Sequence, residues 1–309
     1  MRSGQSEDEQ LIQAGNEASK EEQLIQAAES GDLKSVRALV ANDANVMCAD
    51  THGETPLHKA SRYGHLGIVK EILDCGALVD LKDEYGWTPL IYASYNGHLD
   101  VVKEFLAHSA SIDAARNDGW TPLNCASRNG HLDIVKELLA HSASIDASSN
   151  YGSTPLHSAS INGHLDIVKE LLAHSASVDA SDNNGWTPLN RAAYSGHLDV
   201  VKELLAHNAT IDAADNYGWT PLYSASYSGH LGVVKELLAH ELDIVKELLE
   251  RGASYDLTNK NGETARDVGD ESIQDIFDTF LMSVSPSSIR FAIELIQKAL
   301  VDTSAQIRK

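Results

Sequence analysis

A chain of 309 residues, 42% of them apolar, has enough material for a core, and its formal net charge of −21 argues against nucleic acid or an anionic membrane surface as partner. Three cysteines, Cys48, Cys75 and Cys125, show no CxxC or other ligand spacing and suit reduced, intracellular thiols. The polar N-terminus, the absence of an apolar run of about 20 residues and the lack of lipidation signals complete the expectation of a soluble monomer, cytoplasmic or nuclear.

In chain order, residues 1–20 are acidic and irregular and are expected to be disordered, although the hexapeptide at 9–14 returns at 22–27. From residue 21 a repeat takes over. Thr-Pro-Leu stands at 55, 88, 121, 154, 187 and 220, and Gly-His-Leu at 64, 97, 130, 163, 196 and 229, each step being 33 residues. The runs Thr55-Pro56-Leu57-His58-Lys59-Ala60 and Thr154-Pro155-Leu156-His157-Ser158-Ala159 carry the pattern most fully. A 33-residue period with this motif resembles the ankyrin-repeat family, and the resemblance covers roughly residues 21–268. It implies an all-α solenoid of stacked helix-turn-helix units with hairpin-like turns, about seven repeats and a partial cap. In that family, turn tips and inner helices line the concave face used for binding.

The residues predict the same elements on local grounds. Thr154 suits an N-cap and Pro155 the first helical position, where a missing N–H costs nothing. Gly163 suits a left-handed helix end. Leu165, Ile167, Val168, Leu171 and Leu172 form one stripe of a second helix over about 165–174, and such a stripe needs a neighbouring repeat to cover it. The first repeat has Glu22-Gln23-Leu24 in place of Thr-Pro-Leu, as a polar capping unit should. Ser109, Ser142, Ser175 and Asn208 replace the glycine that usually follows the outer helix, so left-handed serines are expected there. Asp80, Asp113, Asp146, Asp179 and Asp212 stand where family members often carry Asn.

After residue 230 the period breaks. From Thr220 to Thr264 is 44 residues, and the excess is a copy: Leu231-Gly232-Val233-Val234-Lys235-Glu236-Leu237-Leu238 is followed by Leu242-Asp243-Ile244-Val245-Lys246-Glu247-Leu248-Leu249. Eleven residues at about 100° each return to within about 20° of the starting phase, so one helix is predicted over 231–250; the competing expectation is a break near His240-Glu241. Residues 269–309 are predicted to form a C-terminal helical pair. The apolar faces of Ile273, Ile276, Phe277, Phe280 and Leu281 and of Ile289, Ala292, Ile293, Ile296 and Leu300 would cover the distal stripe of the long helix or dock a second partner.

Chemistry-bearing constellations are absent from the pattern, so no catalytic, metal or cofactor-binding residue is expected. His65, His98, His131, His164, His197 and His230 follow the inter-helix glycine, and His108, His141, His174 and His207 sit near outer-helix ends. Repeats stack about 8–10 Å apart, too far for ladder neighbours to share one zinc ion, which suits loop hydrogen bonds for the first set and helix C-terminal roles for the second. Cys125 has no paired catalytic signature. The informative residues are aromatic. Trp87, Trp120, Trp186 and Trp219 share one phase, between the turn glycine and Thr-Pro, and two roles stand open for them: shielding the turn base or meeting a partner. Tyr85, Tyr151 and Tyr217 lie at turn tips, and Tyr92, Tyr95, Tyr194, Tyr223 and Tyr227 on inner helices. With Arg128 and Arg191 these form the expected partner-binding set, since Trp, Tyr and Arg dominate interface hot spots. Outer helices are near-copies while inner helices vary. The leading expectation is therefore a non-enzymatic scaffold or adaptor that binds a protein on its concave face. The alternative is a substrate receptor of a ubiquitin ligase docked through the C-terminal helices; the segment 286–293 is faintly similar to the boxes that do this but lacks their Leu-Pro features.

Overall fold

The computed structural model describes residues 18–248, 260–264 and 267. Fourteen helices stand among the described residues, joined by turns without strands, and the chain divides into two compact units, Met1–Ser144 and Ile145–Lys309. The first unit holds α1 (Lys20–Ser30), α2 (Leu33–Ala41), α3 (Pro56–Tyr63), α4 (Leu66–Asp74), α5 (Pro89–Asn96), α6 (Leu99–Ala107), α7 (Pro122–Asn129) and α8 (Leu132–Ala140). The second holds α9 (Pro155–Ile161), α10 (Leu165–Ala173), α11 (Pro188–Ser195), α12 (Leu198–Ala206), α13 (Pro221–Tyr227) and α14 (Leu231–Leu248). Within each unit the inner, odd-numbered helices pack on one another in chain order, and so do the outer, even-numbered ones.

The caps explain where each inner helix starts and stops. Thr55, Thr121, Thr154 and Thr187 each accept the N–H three residues on, while the side chain of that third residue returns to the threonine's own backbone N–H. Ser19 and Glu22 do the same for α1, so the polar first repeat is capped by its own box. Gly64 ends α3 at φ +75°, and a Cβ there would lie 2.5 Å from the His98 ring, so both conformation and space require glycine. Leu57, Leu90 and Leu123 are buried in the first unit, as are Leu156, Leu189 and Leu222 in the second. Small Ala60, Ala93, Ala126, Ala159, Ala192 and Ala225 let inner helices approach.

The histidine rows are structural ties. Nε2 of His65, His98 and His131 meets the carbonyls of Glu29, Arg62 and Tyr95 at 3.0–3.1 Å in the preceding repeat, and His197 and His230 repeat this on Ile161 and Tyr194. His108, His141, His174 and His207 instead use Nδ1 on the carbonyl four residues back, closing the end of their own outer helix. Ser109, Ser142, Ser175 and Asn208 are left-handed, at φ +58°, +66°, +67° and +61°. Asp80 and Asp113 accept the backbone N–H and hydroxyl of Ser111 and Ser144, and Asp179 those of Thr210, each 31 residues ahead. Asp146 accepts the Ser177 N–H in the same way.

α14 runs unbroken through 240–241, as the phase argument requires, and its 18 residues span about 27 Å. The extra length has a local consequence. The serine or threonine that the other aspartates find 31 residues ahead is moved on by the 11 inserted residues to Ser254, outside the described residues. Asp212 has no bonded partner among the described residues, and burial pushes its carboxyl up to about 6. Residues 269–309, with the expected helical pair and the segment 286–293, lie outside the described residues, as does nearly all of the expected N-terminal segment 1–20.

Candidate functional site

Five of the turns are organised by one residue four places before the tryptophan phase; in the Trp120 turn that place is held by Arg116, which pairs with Asp118. Asp83 Oδ1 accepts the N–H groups of Tyr85 and Trp87 at 2.9 and 2.8 Å. Asp50, Asp182 and Asp215 hold residues 52 and 54, 184 and 186, and 217 and 219 in the same way, and Ser149 does it with its hydroxyl. The tyrosine at the tip is thereby turned outward and the tryptophan inward. Tyr85, Tyr151 and Tyr217 are exposed, whereas Trp87, Trp120, Trp186 and Trp219 are half-buried.

In the first unit this scaffold encloses a polar knot. Glu54 stands in the tryptophan phase and is only 5% exposed. Its carboxylate takes Lys59 and Arg62 as ion-pair partners, and Lys59 also reaches Asp50 at 2.8 Å. The Tyr92 hydroxyl lies 2.6 Å from Glu54 Oε1 and 2.8 Å from Asp83 Oδ2, so its single proton serves one acceptor at a time. Burial opposes ionisation of both Glu54 and Lys59. The hydrogen bonds and charges between them outweigh it, holding the carboxyl below and the ammonium above their ordinary values. Burial and its two acceptors push the Tyr92 phenol up. Arg62 lies 4.4 Å over the Tyr92 ring, which stacks on Trp87 at 4.7 Å, and Tyr95 meets Trp87 edge-on. Tyr85, Trp87, Tyr92 and Tyr95, four of the expected contact residues, thus share the wall of one cavity of about 570 Å³. Arg116 covers both Trp87 and Trp120, and Arg128, which is exposed, also lies over Trp120.

The second unit repeats the plan with other side chains. Arg191 lies 4.6 Å over Trp186 and pairs with Asp182, and Tyr194 packs edge-on against the same indole. Trp219 rests instead on Tyr223 and Tyr227. Tyr194 and Tyr227 are exposed, like Tyr95 at the aligned position.

Two residues of the expected contact set are interior. Tyr92 and Tyr223 are each 4% exposed. Tyr92 closes the Glu54–Asp83 knot. Tyr223 is aligned with His58, His157 and Asn190, and those side chains tie their repeat to the next by donating to the carbonyls of Trp87, Trp186 and Trp219. Buried His58 and His157 accept at Nδ1 from the cap residue and donate from Nε2, and burial holds their pKa below the ordinary value. Cys125 is fully buried and its thiol is pushed up to about 12 by burial, opposite to what a nucleophile needs. Among the described residues no group of three or more His, Cys, Asp or Glu is placed to hold a metal ion, and no helix is long and apolar enough to cross a membrane.

The turn acids Asp50, Asp83, Asp182 and Asp215 do not belong to the expected set, although their 33-residue spacing with Arg116 and Ser149 is visible in the chain. Neither does Glu54, which organises the first unit's cavity.

A family model described as ankyrin repeats, three copies, matches residues 24–116, 104–182 and 175–246. The chain belongs to the ankyrin-repeat family, whose repeats generally serve as protein–protein interaction modules. No curated protein matches it.

Proposed function

We propose that the chain is a non-enzymatic scaffold or adaptor that binds a protein partner on the face made by its turn tips and inner helices. The observation that carries this is the row of exposed tyrosines on otherwise copied repeats. Tyr95, Tyr194 and Tyr227 stand at one inner-helix position, and Tyr85, Tyr151 and Tyr217 at one turn position. Folding does not call for large aromatic area in water at positions that other repeats fill with Arg62, Arg128 or Ile161. Tyrosine loses little entropy when it is pinned and offers both ring and hydroxyl to a partner. Each unit presents its own set.

The test is affinity capture with the full chain, followed by calorimetry on the protein recovered. Replacing Tyr95, Tyr194 and Tyr227 together with Ser should weaken binding by about 3 kcal/mol or more. Changing Lys136 and Glu137 on outer helix α8 should leave the affinity nearly unchanged. The opposite pattern would place the interface on the outer helices.

A further inference from the structure

The turn around Trp219 keeps the acid and the indole of the arrangement at Trp186 but not the cation. Asp215 is 7% exposed, and its Oδ1 is used up by the N–H groups of Tyr217 and Trp219, both at 2.8 Å. In the aligned turns the second oxygen has a partner nine residues on: Lys59 for Asp50, the Tyr92 hydroxyl for Asp83, Arg191 for Asp182. The residue in that place here is Ser224, whose short side chain ends in a buried hydroxyl without a hydrogen bond. Oδ2 of Asp215 therefore has no donor among the described residues. The indoles differ in the same way. A guanidinium lies over Trp87, Trp120 and Trp186, and none lies over Trp219 among the described residues.

The open carboxylate lines a cavity of about 420 Å³, together with Trp186, Tyr217, Trp219, Lys260 and Asn261. Tyr223 and Tyr227, on which Trp219 rests, are not part of this wall. Among the described residues Lys260 is the only cation of the wall, and no ion pair joins it to Asp215. A carboxylate withdrawn from water without a counter-charge is costly, and an aromatic wall beside it attracts a cation that leaves water. The net charge of −21 draws cationic segments toward the chain.

We propose that this cavity receives an arginine side chain of the protein partner, its guanidinium paired with Asp215 Oδ2 and laid against the Trp219 indole. The inference rests on the protein-binding reading above and names the chemistry at one point of that face. Arginine is favoured over lysine because its planar fork pairs with a carboxylate while its face stacks on an indole, as Arg191 does on Asp182 and Trp186.

The probe is Nα-acetyl-arginine amide, titrated into the full ¹⁵N-labelled chain while the four indole N–H signals are followed, each assigned by a Trp→Phe variant. The Trp219 signal should move saturably, with a Kd on the order of a millimolar for so small a ligand. The uncharged citrulline analogue should not move it. Asp215→Asn keeps a carbonyl oxygen for the Tyr217 and Trp219 N–H groups and removes only the charge, and it should weaken the response about tenfold. Ser224→Arg supplies the cation from within and should abolish the response while the other three indoles keep their positions. A still Trp219 signal, an equal response to citrulline or lysine amide, or an Asp215→Asn chain that binds as well as the parent would overturn the proposal. Such a result would leave the protein-binding reading standing, because Tyr95, Tyr194 and Tyr227 do not line this cavity. A captured partner indifferent to those tyrosines, with arginine amide still bound, would fault that reading and not the cavity.

Discussion

The repeat around α11 and the repeat around α13 carry the same two aspartates and satisfy them differently. In the first, Asp179 accepts from Thr210 and Asp182 pairs with Arg191. In the second, the equivalent Asp212 has no bonded partner among the described residues, and Asp215 keeps one oxygen open. The causes are separate and both lie in the sequence. Ser224 stands where the other repeat has Arg191, and the 11-residue insertion moves the hydroxyl residue aligned with Thr210 on to Ser254, outside the described residues. A tandem duplication thus copies the framework of a site, while single residues and one change of period decide whether it is closed from within or left for a partner.

The largest effect should come from opening the most tightly closed site, the Glu54 knot of the first unit. Glu54→Ala removes the acceptor shared by Lys59, Arg62 and Tyr92, leaving Lys59 with Asp50 alone at 8% exposure. The expected loss is about 3 kcal/mol in urea unfolding of the full chain. A loss below about 1 kcal/mol would put these charges on a par with surface pairs.

Breaking the comparison inside the second unit should cost less. Arg191→Ser turns the closed turn into a copy of the open one and leaves the Asp182 carboxylate, 2% exposed, without its counter-charge. About 2 kcal/mol should be lost, because Asp182 keeps its two backbone donors. In the arginine amide titration the Trp186 indole should then respond as well. A variant that loses stability without gaining this response would show that an open acid and an indole do not by themselves make a receptor.

Most of the framework was legible in the chain. The 33-residue period, the Thr-Pro caps, the left-handed serines and the single helix across 240–241 all depend on short-range spacing, which a sequence displays directly. The site was legible only in its exposed residues. Tyr92 and Tyr95 look alike in the sequence, yet the hydroxyl of Tyr92 finds Glu54 38 residues upstream and that of Tyr95 does not. Acids that recur in phase do not reveal which of them is buried, so Asp182 and Asp215 look like any other acidic residue. Lys260 and Asn261 reach the wall of the second cavity only across the altered period, 44 residues instead of 33, which no local pattern conveys.

Asp212 offers a way to sharpen the comparison through pH. Burial raises its folded-state carboxyl to about 6, above the value of an exposed aspartate. The folded chain therefore holds this proton more tightly than the unfolded one. The penalty is absent at low pH, grows as pH rises from about 4 to about 6, and is fully present at pH 7. Asp212→Asn should raise the Tm at pH 7 and leave it almost unchanged at pH 4. The same change at Asp179, which is hydrogen-bonded to Thr210, should bring no such gain. Equal effects at the two positions would show that the lost partner is not the cause.

The smallest expected effect concerns the residues that follow the outer helices, where the repeats again solve one demand in different ways. Gly76 takes φ +85° without cost, Asn208 takes +61°, and Ser109, Ser142 and Ser175 take +58° to +67°. A side chain in this region suffers about 1–2 kcal/mol from the clash of Cβ with the following carbonyl, and Asn suffers less because its side chain bonds locally. Glycine removes the clash but adds freedom to the unfolded chain, about 0.5–1 kcal/mol. The difference leaves a net gain of about 0.5 kcal/mol for each Ser→Gly change. The triple variant should therefore gain about 1.5 kcal/mol and melt a few degrees higher, and Asn208→Gly should gain less than any one of the three. A triple variant that melts with the parent would mean that the serines meet the left-handed demand as well as glycine does.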